Sequence, residues 1–170
     1  STNRAFRTAN YGLVDDTALA FRGVNPYSHA TGINDAGQVA GFARTTTLGM
    51  DQAVLVQPSA SPDPITLPRD AINNLYPGKA SRAYAINSLG QATGYVVTPS
   101  GEKHAFLYKN GQMTDLGTLA GNMSKGYAIN SSGMVVGESI NIYGNTSGFI
   151  YDPAAGAMYE FGTFGGATSR

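Results

Sequence analysis

Few side chains in this chain can carry chemistry, and their spacing argues against most of it. The two histidines, His29 and His104, lie far apart, and neither belongs to a His-x-x-x-His or Glu-x-x-His pair, so a zinc site has no local basis. Asp15 and Asp16 are adjacent carboxylates, but neighbours in a strand point to opposite faces, which removes the facing acid and base that a glycosidase uses. Gly-x-Ser-x-Gly elbows and Walker A loops are missing from the 170 residues, so nucleophilic and phosphoryl chemistry lack a local motif. With no cysteine in the chain, thiol nucleophiles, thiolate metal sites and disulfides drop out together.

Binding chemistry has more to work with. Five residues before each of Asn34, Asn87 and Asn130 stand His29, Arg82 and Lys125, and Arg170 follows Thr163 at the interval by which Lys125 follows Thr118. Tyr84 and Tyr127 lie two residues beyond the bases. If repeats place these groups at equivalent corners, they form an arc of positive charge beside rings able to stack on sugar faces or on a partner's side chains. Solvated bases at strand entries would also hinder edge pairing without binding anything. His29, Arg82, Lys125, Arg170, Tyr84 and Tyr127 are therefore the candidate ligand-binding residues, and no metal or cofactor is expected. Calcium has at most one charged turn to use, because Asp35 is replaced by Ser88 and Ser131 at the equivalent places.

The elements that would position these groups come from an internal repeat. The pattern Ile-Asn-x-x-Gly-x-x-x-Gly occurs at Ile33 to Gly41, Ile86 to Gly94 and Ile129 to Gly137, with the longer first interval holding a proline-rich stretch from Pro58 to Pro77. A second unit alternates with it. Its clearest copy runs from Lys103 through His104-Ala105-Phe106 and Lys109-Asn110-Gly111-Gln112 to Leu119, with echoes at 4–16, 52–67 and 147–164. In Asn-x-x-Gly, the Asn side chain can bond back to the chain and Gly supplies positive φ, so Asn34, Gly37, Asn87, Gly90, Asn130 and Gly133 read as structural turn residues. Asn110-Gly111 is the pair that favours a tight type I′ hairpin.

The segments between these turns are short and rich in β-branched and aromatic residues, without sustained helical periodicity, which gives an all-β chain. The cleanest copy offers strands near 82–87, 91–98, 103–109 and 113–119. Four-stranded antiparallel meanders at this period predict a β-propeller-like array of about three and a half blades, with a β-solenoid as the alternative. The whole of 1–170 then reads as one repeat domain, with modules 4–20, 28–68, 81–119 and 124–164. Four modules of the His-Ala-Phe kind against three of the other point to an incomplete array. Either it is a piece of a longer parent chain or it associates as a homodimer.

Composition supports a folded chain. Hydrophobic residues make up 42% and charged residues 13%, with 22 Gly and 8 Pro, so the chain is turn-rich and large enough for a real core. Eleven Lys plus Arg balance eleven Asp plus Glu, leaving no basic excess to attract nucleic acid. Apolar runs are too short to insert in a membrane as a helix.

His104-Ala105-Phe106, Asp115-Leu116-Gly117-Thr118-Leu119 and Tyr127-Ala128-Ile129-Asn130-Ser131-Ser132-Gly133 together resemble the repeats of the bacterial extracellular HAF-repeat family. Arg4, Gln52 and Ser147 replace the His in the other copies, and Thr8 or Val56 stands where an aromatic often closes the strand. The resemblance implies an exported, secreted or cell-surface protein of repeated β architecture, and no defined reaction. The expectation is a non-catalytic extracellular binding or adhesion module that uses one propeller face for a glycan or protein. The alternatives are a structural unit of an exported scaffold or surface layer, and a hydrolase or lyase with residues hidden in sequence.

Overall fold

In the computed structural model the described residues are 7–9, 12–14, 28–44, 49–56 and 75–162, and they form strands with no helix. Strands β1 (Arg7–Ala9) and β2 (Gly12–Val14) pair as a hairpin. An antiparallel three-stranded sheet follows, made of β3 (Ser28–Ile33), β4 (Val39–Arg44) and β5 (Asp51–Val56). Next come two four-stranded meanders. The first is β6 (Ser81–Ile86), β7 (Ala92–Val97), β8 (Lys103–Lys109) and β9 (Gln112–Asp115), and the second is β10 (Ala120–Ile129), β11 (Val135–Asn141), β12 (Thr146–Asp152) and β13 (Ala157–Phe161). One parallel pairing, Met123 with Lys103, joins them into an eight-stranded sheet. The modules expected at 4–20 and 28–68 fall partly outside the described residues, as does Arg170.

The turn chemistry behaves as its residue types require. Asn110 (φ 53°) and Gly111 (φ 82°) both take the left-handed region, the requirement of a type I′ turn, and Lys109 faces Gln112 across it. In the Asn-x-x-Gly turns, the amides of Gly37, Gly90 and Gly133 donate to the carbonyls of Asn34, Asn87 and Asn130 at 2.9–3.1 Å. Each of these glycines has φ between 74° and 82°, where a side chain is disfavoured.

The second glycine of the motif has a different task. Each first strand carries a β-bulge, with Thr31, Tyr84 and Tyr127 as the extra residues between the shifted pairs. The bulge pushes the first-strand carbonyls of His29, Arg82 and Lys125 toward Gly41, Gly94 and Gly137 on the second strand, where a Cβ would collide with them. Glycine is thus what lets the bulge form, and Tyr84 and Tyr127 are the residues it leaves unpaired in the ladder.

The sheets stack through both faces of their strands. Phe106 on β8 lies in one cluster with Ala40, Ala53 and Leu55 of the preceding sheet, while Ala105 and Leu107 join Val135, Phe149 and Tyr151 of the following meander. Polar stitches run beside these contacts. The Ala53 amide donates to Ser81 Oγ (3.0 Å) and the Ala105 amide to Ser124 Oγ (2.7 Å), both serines being fully buried and six residues before the repeated Asn. Asn34 Nδ2 donates to the Asn87 carbonyl at 2.8 Å, and Asn87 Nδ2 to the Asn130 carbonyl at 2.7 Å. The repeated Asn is therefore a turn residue and also a rung of a ladder between sheets.

Candidate functional site

The basic register occupies one end of the first strands, each base facing the second-strand residue that follows the bulge glycine. The pairs are His29 with Phe42, Arg82 with Tyr95 and Lys125 with Glu138. His29 is exposed and stacks on Phe42, with centroids 4.9 Å apart and planes at 17°. Arg82 reaches back to the preceding sheet, its guanidinium 4.3 Å from the Phe42 centroid and its Nε 2.9 Å from Asp51 Oδ2, with Nη2 on the same oxygen. Arg44 Nε approaches the other Asp51 oxygen at 3.3 Å. Burial works against the Arg82 charge, but the hydrogen bond to Asp51 together with the electrostatic influence of Tyr95, Asp51 and Tyr84 outweighs it and raises its pKa above the ordinary value. Lys125 Nζ meets Glu138 at 2.9 Å.

Arg82 and Lys125 thus carry carboxylate partners, and the arc expected from the bases alone is charge-compensated at those two positions. The rings are where the arrangement is strongest. Tyr84 stacks on Tyr127 of the next meander (5.7 Å, 28°) and packs at 5.8 Å against Tyr95, over which Lys103 Nζ lies at 5.2 Å. Tyr127 is 46% exposed. The structure brings His29, Arg82, Tyr84, Lys125 and Tyr127 onto successive first strands, while Arg170 lies outside the described residues. Phe42, Asp51, Tyr95 and Lys103 were not singled out in sequence. The first and third follow the second motif glycine, a register that could have found them.

His104 is held in a second cluster. Its Nδ1 lies 2.8 and 3.0 Å from the two Asp115 oxygens, the Tyr76 hydroxyl donates to the same carboxylate at 2.9 Å, and the Gly117 amide does so at 2.7 Å. Burial, the bond to Asp115 and its charge all push the Tyr76 hydroxyl pKa up. The His104 and Asp115 of the HAF-like motif thereby tie β8 to β9, and Ala105 and Phe106 supply one small residue and one ring to the two buried faces. The bonds of this set tie strands and turn together, and the set reads as a structural clamp. Among the described residues, no group of three or more His, Cys, Asp or Glu could hold a metal ion.

The last meander builds the same clamp from other atoms, with Ser147 and Glu160 in place of His104 and Asp115. Hydrogen bonds from Ser147 and from Asn141 Nδ2 (3.0 Å) hold the Glu160 carboxyl below the usual range. A depressed folded-state pKa stabilises above the unfolded value, and the contribution is lost as pH falls through the folded one. Ser147→Ala is expected to move the Glu160 titration, followed by NMR, back up toward an ordinary carboxylate, with a small stability change because the group is exposed. An unmoved titration would remove the Ser147 bond from the account.

No protein-family model, curated protein or solved structure gives a significant match to this chain.

Proposed function

We propose that this chain is a non-catalytic binding or adhesion module of the bacterial exterior, a propeller-like array whose ligand lies along the row of first strands. The observation that carries the reading is the line of rings there: His29 on Phe42, then Tyr95, Tyr84 and Tyr127, with Arg82 and Lys103 over two of them. Rings already held by their neighbours lose little further freedom on binding, and their faces suit the C–H faces of sugars or the side chains of a protein. Because Asp51 and Glu138 offset Arg82 and Lys125, the row favours a neutral glycan over a polyanion. The likeness to HAF repeats agrees with an exported location.

The test is a glycan array followed by titration of the best hit against Tyr84→Ala, Tyr127→Ala and the double variant. A loss of about tenfold or more is expected for the double variant, corresponding to about 1.4 kcal/mol. The fold is expected to survive, since Tyr127 is half exposed, and affinity should depend weakly on salt. Retained binding in the double variant, or a steep fall with salt, would reject the ring row. Ladders from sheet to sheet also favour a structural unit of an exported scaffold, which filaments or lattices in electron micrographs would establish.

A further inference from the structure

The outer face of the β10–β13 meander repeats a surface that the two preceding sheets keep covered. On the first sheet, Ala40, Ala53 and Leu55 are at most 5% exposed, and on the second, Thr93, Ala105, Leu107 and Leu116 are at most 8% exposed. The equivalents of the second set are Val136, Gly148, Ile150 and Phe161. Here Val136 is 42% exposed and lines an apolar groove with Tyr127, Ile150 and Phe161.

What covers the earlier surfaces is the same each time. It is the sheet of the next repeat, whose first strand, β6 or β10, is set by a buried Ser at its start and by the Asn ladder at its end, and whose later strands bring Ala92, Val96 and Phe106 over the first sheet and Val135, Phe149 and Tyr151 over the second. The ladder has a direction, because each Asn Nδ2 donates to the Asn carbonyl of the following repeat. Asn130 accepts the Ser132 and Met134 amides at 3.0 Å on its Oδ1, as Asn87 accepts those of Leu89 and Gln91. Its Nδ2 donates to no described residue. Within its own turn it also lacks the Gln Oε1 that Asn34 and Asn87 use, since Met134 stands at that position.

We propose that this face docks a β-strand of the same signature, a Ser followed six residues later by an Ile-Asn pair's Asn, which enters as β6 and β10 enter. The Asn carbonyl of that strand accepts from Asn130 Nδ2, the strand lies over Val136 as Gly126 of β10 lies over Thr93, and the later strands of the same unit cover Ile150 as Val135 and Phe149 cover Leu107. The occupant is thus a further repeat unit, recognised through the geometry the chain already uses twice. Tyr127 borders both this face and the ring row, but the inference does not rest on the ligand proposed there.

The test extends the full chain after Arg170 with a copy of residues 126–162, because Ser169-Arg170 matches Ser124-Lys125 in the repeat. The extended chain is expected to melt in one transition about 4 °C or more above the parent, as stacked repeats do. Val136→Arg should cancel that gain while leaving the parent's own melting temperature unchanged. A synthetic peptide of residues 121–134 gives a second reading that does not depend on the extension folding. It should shift the methyl signals of Val136 in the parent and should not bind the Val136→Arg chain. No gain in melting temperature together with no peptide shifts would overturn the proposal. So would concentration-dependent dimerisation of the parent that Val136→Arg abolishes, which would make a second copy the occupant.

Discussion

Gly94→Ala is expected to destabilise the chain by about 3 kcal/mol, the upper end for forcing one extra methyl into a filled space. The new Cβ would collide with the Arg82 carbonyl, and it would also press on Arg82 C and Ala83 Cα, all of them backbone. Backbone cannot swing aside as a side-chain tip can, so relief requires undoing the bulge at Tyr84, which carries the ring row and the entry of β6 against the preceding sheet. At this chain length the loss corresponds to a drop of about 6–12 °C in melting temperature. Gly162→Ala is the control, because a Cβ there meets nothing within 4 Å, and its melting temperature should match the parent's. If Gly94→Ala melts with the parent, the bulge is not what demands glycine at this position.

Asn87→Asp should cost about 2 kcal/mol or more, whereas Asn130→Asp should cost almost nothing, although both occupy the same turn. Aspartate keeps the oxygen that accepts the turn amides, Leu89 and Gln91 in one case and Ser132 and Met134 in the other. What it removes is the Nδ2 donor. At Asn87, only 6% exposed, that donor bonds Gln91 Oε1 at 2.6 Å and the Asn130 carbonyl at 2.7 Å, and a carboxylate there would face two acceptors with nothing to give. Such a carboxylate has a raised pKa, so the stability of Asn87→Asp is expected to recover as pH falls below it. Asn130 is exposed and its Nδ2 has no described acceptor to lose. Denaturant unfolding of the two variants at neutral and acidic pH measures the difference. Equal losses would show that the Asn acts through its turn alone.

These two expectations mark where sequence reading stopped. Asn-x-x-Gly discloses a turn because the bonds that make it lie within four residues, and both the Asn and the first Gly are needed for it. The second glycine recurs as faithfully, but its reason is a carbonyl on a neighbouring strand whose register depends on a bulge. The charge balance of the basic register was hidden for the same reason. His29, Arg82 and Lys125 do share a register, yet Asp51 reaches Arg82 from the preceding sheet, and Glu138 reaches Lys125 only once β10 and β11 are paired.

By itself, the sequence determined what dihedral preference and neighbouring hydrogen bonds can settle. That includes the all-strand character, the Asn110-Gly111 hairpin, the positive-φ glycines at 37, 90 and 133, and the strand boundaries of the cleanest repeat to within a residue or two at most positions. Tertiary structure decided everything that passes from one sheet to the next: the serine stitches, the asparagine ladder, the stacking of Tyr84 on Tyr127, the compensation of Arg82, and the contrast between covered Thr93 and exposed Val136. The physical reason is range. A turn encodes its own bonds in four residues, whereas a partner 43 or 53 residues away acquires meaning only when stacking brings the two atoms within hydrogen-bond distance.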